Sequence, residues 1–187
     1  MKFAQGRRVV GLSLVELMIV LALAALLTSL AAPSMRSLWV QRSVLLAAEA
    51  LVSDLRYARS EALQRARPVL VCQSDNGLSC AGDRSAWAAG WLVFVDSNAN
   101  GALDTVNSDG PADDLLRVQS GLADMVSVSS NLSTGHTITY QATGLARAAA
   151  QTLLFTPVGS VPASQRAVCI SLQGRPRIGS AGAATCG

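Results

Sequence analysis

The chain of 187 residues has one histidine, His136, and aromatic side chains make up only 4% of it. No serine or cysteine sits in a recognised nucleophile motif, and no glycine-rich phosphate loop is present. These absences argue against an enzyme, so no catalytic residue is assigned. His136 reads as a surface or strand residue. The four cysteines, spaced C-x7-C and C-x16-C with His136 as the sole histidine, fit no common zinc pattern. No metal and no cofactor are expected. With aromatics so scarce, a folded core should rest on Val, Leu and Ala. Acids are missing from residue 131 onward, where Arg147, Arg166, Arg175 and Arg177 stand without an Asp or Glu. Between residues 73 and 116 the balance reverses, with seven acids against Arg84 alone. The net charge of +3 hides this contrast.

What is present begins at the N-terminus. A basic leader with Lys2, Arg7 and Arg8 runs into an apolar stretch, residues 12–32, that holds one charge, Glu16. At about 1.5 Å per residue this stretch is long enough to cross a bilayer as a helix. A secretory signal would have a shorter apolar run and one small-residue cleavage site. A plain anchor fits the length and the positive flank, which would hold the N-terminus in the cytoplasm. It leaves the carboxylate of Glu16 without a reason.

Beyond the apolar run the helical period continues to about residue 67. Val44, Ala48, Leu51, Leu55, Ala58 and Ala62 step by four and three into one stripe. Arg42, Glu49, Asp54, Arg56, Arg59, Glu61 and Arg65 fall mostly off it, and Pro68 supplies a stop. The two parts predict one helix of roughly 55 residues, kinked at Pro33. After Pro68 the signals are strands and turns: residues 69–72, 91–95, 115–118, 125–128, 137–140, 153–156 and 167–172. The expected architecture is α+β, a long helix laid on one antiparallel sheet. The divisions are 1–11 leader, 12–33 membrane or filament-core helix, 34–67 amphipathic half, and 68–187 β-rich head.

An even cysteine count in an exported head favours disulfides. Of three possible pairings, Cys72–Cys80 and Cys169–Cys186 close the short loops and are preferred. The run Asp96-Ser97-Asn98-Ala99-Asn100-Gly101 resembles the start of a calcium loop. Position twelve is Asn107 instead of Glu and no helix flanks it, so a hairpin tip is preferred.

The segment Gly11-Leu12-Ser13-Leu14-Val15-Glu16-Leu17 resembles the processing site of type IV prepilins and pseudopilins. The resemblance implies a pilin-like fold, cleavage by a prepilin peptidase between Gly11 and Leu12, and N-methylation of Leu12, although the first mature residue of that family is most often Phe. It also implies a helix-bending role for Pro33. Glu16 would pair with the freed α-amino group of a neighbouring subunit, which offsets part of the cost of burying both charges. Trp91-Leu92-Val93-Phe94-Val95-Asp96, followed by an Asn-Gly turn, and Cys169-Ile170-Ser171 with Gly174-Arg175-Pro176-Arg177 resemble the FimT/GspH family of minor pilins and pseudopilins. In FimT-type pilins a G-R-x-R motif implies binding of incoming DNA. Matched position by position, this assigns Gly174, Arg175 and Arg177, with Arg166 and Arg147 as helpers.

The chemistry agrees. Arginines at alternate positions of an extended segment point the same way, and guanidinium matches phosphate. Phosphate contact gives affinity without sequence reading, and Gly174 beside the arginines would allow close approach of the backbone to the ligand. No aromatic cluster flanks the motif, so base stacking is not predicted. The implied partners are other major and minor pilins, the peptidase, the inner membrane and DNA. The implied location is a single pass through the inner membrane with a periplasmic head, then the pilus at the cell surface. The alternative is a structural minor pilin, or a type II secretion pseudopilin that binds no DNA.

Overall fold

The structure, a computed structural model, describes residues 13–81, 86–104, 112–122, 126–131, 137–147, 151–159 and 164–186. Of residues 30–34, 36, 37 and 86 only the backbone is described. Gly11, Leu12, His136 and the leader lie outside the described residues, as does the side chain of Pro33.

One helix, α1, spans Leu14–Arg65. Ser13 caps it: the Glu16 N–H donates to Ser13 Oγ at 3.4 Å, and the Leu17 N–H donates to the Ser13 carbonyl at 3.1 Å. Ser-x-x-Glu is a capping sequence, and a carboxylate in the first turn faces the positive end of the helix dipole. Glu16 therefore also helps start its own helix, a role the sequence reading did not include. Thr28 and Ser29 donate their hydroxyls back to the carbonyls of Ala24 and Leu26, so neither interrupts the apolar run. Among the described residues no helix is long and apolar enough to cross a membrane. Described side chains of the run stop at Ser29, short of the span read from residues 12–32.

The chain forms two compact units, residues 1–39 and 40–187. In the second, α1 ends two residues earlier than expected. Ala66 turns left-handed at φ 52°, ahead of Pro68. Among the described residues nine strands follow: β1 Val69–Gln73, β2 Trp91–Val95, β3 Asp114–Gln119, β4 Val126–Ser130, β5 Thr137–Tyr140, β6 Ala146–Arg147, β7 Gln151–Pro157, β8 Arg166–Ile170 and β9 Pro176–Ile178. They make two antiparallel sheets, ordered β3-β2-β1-β5-β6 and β4-β7-β8-β9. The expectation of one sheet is thus corrected. β5 returns to pair with β1, so the hairpin path passes from one sheet to the other and back. β6 and β9 were not expected because two and three residues are too short to show a period.

The predicted stripe of α1 is fully buried, from Val44 to Ala62. It packs with Val69, Val71, Val93 and Ile138 of the first sheet and Val128, Leu153, Phe155 and Val168 of the second. The core does not rest on aliphatics alone. Trp87, Trp91, Tyr140, Phe94 and Phe155 are the largest fully buried side chains, so the few aromatics are concentrated inside. The far face of the first sheet buries Leu70, Cys72, Leu92 and Phe94 under the loops carrying Cys80 and Leu103.

Asp54, off the stripe in sequence, is buried too. It accepts from Trp91 Nε1 at 2.8 Å and Arg117 Nη1 at 2.7 Å, and Arg117 stacks on the Tyr57 ring at 3.8 Å. This cluster ties α1 to β2 and β3. Both preferred disulfides, Cys72–Cys80 and Cys169–Cys186, are formed.

Candidate functional site

The turn after β8 sets the two motif arginines. The Gly174 N–H donates to the Ser171 carbonyl at 2.8 Å, and the Ser171 N–H donates to the Arg175 carbonyl at 3.2 Å. β9 then pairs back, with Cys169 opposite Arg177 and Ile170 opposite Pro176. Alternation along this edge buries Pro176 and exposes Arg175 and Arg177. A proline is tolerated because β9 is an edge strand. Arg175 directly precedes β9 and Arg177 lies within it, and the two exposed arginines flank the buried Pro176.

Gly174 has a different task from the close ligand approach expected of it. It is buried, at φ +73°, and a Cβ there would lie 2.3 Å from the Gly144 carbonyl oxygen and 3.0 Å from the Tyr140 ring. Only a hydrogen fits against that carbonyl. Gly144 closes a similar turn, its N–H donating to the Gln141 carbonyl at 2.7 Å. The Nε of Arg59 on α1 donates to the same Gly144 carbonyl at 3.0 Å. The two turns are further joined by the Ala146 N–H, which donates to the Leu172 carbonyl at 3.2 Å. The arginine turn is therefore seated on a second turn that α1 holds in place. Beneath them the Tyr140 hydroxyl is buried with no hydrogen-bond partner among the described residues. Burial pushes its ionisation well above the ordinary range, against a weaker pull from Arg59, so the phenol stays neutral.

A groove of about 500 Å³ opens between α1 and this edge, lined by Arg56, Arg59, Ser60, Leu63 and the run Arg175, Pro176 and Arg177. Among the described residues its lining has four arginines and no Asp or Glu. Arg56 and Arg59 are three apart on α1, the spacing of neighbours on one helix face. They were visible as off-stripe residues, but nothing local in the sequence places them beside residues 175–177. Arg147 and Arg166 are not in the lining. Arg147 pairs with Thr139 and lines another hollow with Asp96 and Asn100. Arg166 lies opposite Phe155 at the start of β8, three residues from the position that faces Arg177. At about 3.3 Å per residue that is roughly 10 Å along the sheet.

Behind the turn, the Cys169–Cys186 bridge draws the C-terminal segment across β8. Gly179 N–H donates to the Ala167 carbonyl at 2.8 Å, and Gln165 Nε2 donates to the Gly182 carbonyl at 2.7 Å. Residues 171–186 are thus held at both ends.

The Asp96 loop is built as a turn. Asp96 accepts from the N–H groups of Asn100 and Gly101 at 3.2 and 3.0 Å. Asp113 accepts from those of Ser97 and Asp104, at 2.8 and 3.0 Å. The amides of Asn98 and Asn100 donate to Asp104. Its carboxylates are engaged with the loop's own donors, as in Asx turns. Asn107 lies outside the described residues. Among the described residues no group of three His, Cys, Asp or Glu could hold a metal ion.

Residues 47–174 match the family described as GspH, type II transport protein. No individual curated protein matches the sequence. The crystal structure of the type IV minor pilin FimU of Pseudomonas aeruginosa is similar, with a TM-score of 0.55 at 23% identity, over 74% of this chain and 90% of that one. The minor pseudopilin EpsH from the type II secretion system of Vibrio cholerae gives a TM-score of 0.52 at 14% identity, over 77% and 98%. Those likenesses carry the α+β pilin-like fold.

Proposed function

Because the chain belongs to the GspH family of type II transport proteins, we propose that it is a filament subunit, a minor pilin of the FimT type that captures extracellular DNA for uptake. The observation that carries this reading is the groove in which Arg175 and Arg177 stand exposed with no carboxylate of the described residues in the lining. Among the described residues neither makes an ion pair, whereas Arg65 and Arg117 are matched to Asp114 and Asp54. Phosphate-only contact suits DNA of arbitrary sequence. Weak single sites suffice where a filament supplies several copies.

The expected result is a mobility shift of random duplex DNA by the full chain in neutral detergent at about 50 mM salt. Replacing two phosphate contacts, Arg175→Gln with Arg177→Gln, should weaken binding about tenfold and flatten the salt slope by about two contacts. No shift by the wild type would leave the second reading, a subunit that binds only other pilins. The family match and the likeness to EpsH favour that reading.

In either filament the N-terminus acts in the same way. The peptidase cuts between Gly11 and Leu12, Leu12 is methylated, and the apolar helix waits in the inner membrane with its head in the periplasm. Glu16, exposed in the first turn of α1, then meets the amine of an adjacent subunit. Glu16→Ala should sharply reduce the amount of this chain in sheared filaments while leaving its membrane level unchanged. Normal incorporation of that variant would refute the pairing.

A further inference from the structure

We propose that Arg56 and Arg59 form the second wall of the anion site, so that one sugar–phosphate strand is gripped from both sides, by α1 and by the β9 edge. The proposal rests on the DNA-binding reading and goes past the motif that suggested it. Three observations carry it.

The first is placement. Arg56 and Arg59 line the same groove as Arg175 and Arg177, although more than a hundred residues separate the pairs. The second is charge. Among the described residues the lining has no carboxylate, and none of the four arginines makes an ion pair. Four like charges in one concavity repel each other, and a polyanion entering it relieves that repulsion. The third is order. Arg59 is already fixed by its Nε donation to the Gly144 carbonyl, which leaves less freedom to lose on binding. Leu63 and Pro176 supply apolar surface, and no aromatic side chain of the described residues is in the lining. The site therefore grips backbone and leaves the bases unread and unstacked, so duplex and single strand should both enter.

The test is the salt dependence of affinity, measured by fluorescence anisotropy with the full chain in neutral detergent. The probes are a labelled random duplex and a single strand of the same length. Each lost phosphate contact lowers the slope of log affinity against log salt by about 0.9 on duplex. Arg56→Gln should lower it by about 0.9, and Arg56→Gln with Arg59→Gln by about 1.8, the same as Arg175→Gln with Arg177→Gln. Arg59→Gln also removes the contact to Gly144, so the single Arg56→Gln variant serves where the double one unfolds. If the wild type binds and only the Arg175/Arg177 pair changes the slope, the second wall is refuted and the DNA reading stands. If the wild type binds neither probe, the DNA reading falls and takes the clamp with it. If polyglutamate binds with the full slope and displaces DNA at equal charge concentration, the groove serves an acidic protein partner, which also overturns the proposal.

Discussion

Gly174→Val should cost about 4 kcal/mol of head stability and abolish DNA binding with every arginine still in place. Two effects combine. A β-branched residue held at φ +73° costs roughly 1–3 kcal/mol in backbone strain. Its Cβ would stand 2.3 Å from the Gly144 carbonyl oxygen, and overpacking of this kind costs about 1–3 kcal/mol more. The neighbour is backbone, already tied to Arg59, so it cannot swing aside as a side chain would. The turn must lift off Gly144, and that moves Arg175 and Arg177 away from α1. Urea unfolding followed by tryptophan fluorescence measures the stability, and anisotropy measures the binding. A loss under about 0.5 kcal/mol, the level of an ordinary surface change, would show that the glycine is not the seat of the turn.

Removing the Cys169–Cys186 bridge is the second large effect. It closes a sequence separation of 17 residues, worth about 3 kcal/mol in chain entropy of the unfolded state. Cys169→Ser with Cys186→Ser should lower stability by that amount. It should also weaken DNA binding, because residues 171–186 lose one of their two anchors and must be ordered when the ligand arrives. The bridge Cys72–Cys80 is the control. Its separation of 8 gives about 2.5 kcal/mol by the same relation. It lies on the far face of the other sheet, with Leu70, Leu92 and Phe94. Its removal should cost stability and leave DNA affinity unchanged. Equal affinity loss in both variants would mean that the arginine loop is not held by its own disulfide.

Local periodicity accounts for what is legible in the sequence. The α1 stripe is a repeat of four and three, and burial follows it residue by residue. Strands such as Trp91–Val95 and Thr137–Tyr140 are bounded by turn residues, and their limits agree with the reading. The alternation of Arg175 and Arg177 needs only an extended backbone. What stayed hidden depends on pairing across long separations. Nothing near Ile138 says that β5 pairs with β1 and not β4. Nothing near Arg56 says that Pro176 lies beside it. Asp54 falls off the apolar stripe, and its burial is not legible there because its partners, Trp91 and Arg117, come from two later strands. Gly174 looked like room for a ligand, whereas the carbonyl that needs the room belongs to Gly144. Arg147 and Arg166 shared an acid-free stretch of sequence with the motif arginines, but strand order carries them elsewhere.

Arginine footprinting is the measurement closest to the chemistry. The full chain is treated with phenylglyoxal, with and without duplex DNA at low salt, and modification is read at each arginine by mass spectrometry. Strong protection by DNA is expected at Arg175, Arg177, Arg56 and Arg59, with Arg147 and Arg166 modified equally in both samples. Protection at Arg147 or Arg166 with none in the groove, or no protection anywhere while DNA is bound, would contradict the assignment of this groove as the place where the phosphate backbone is held.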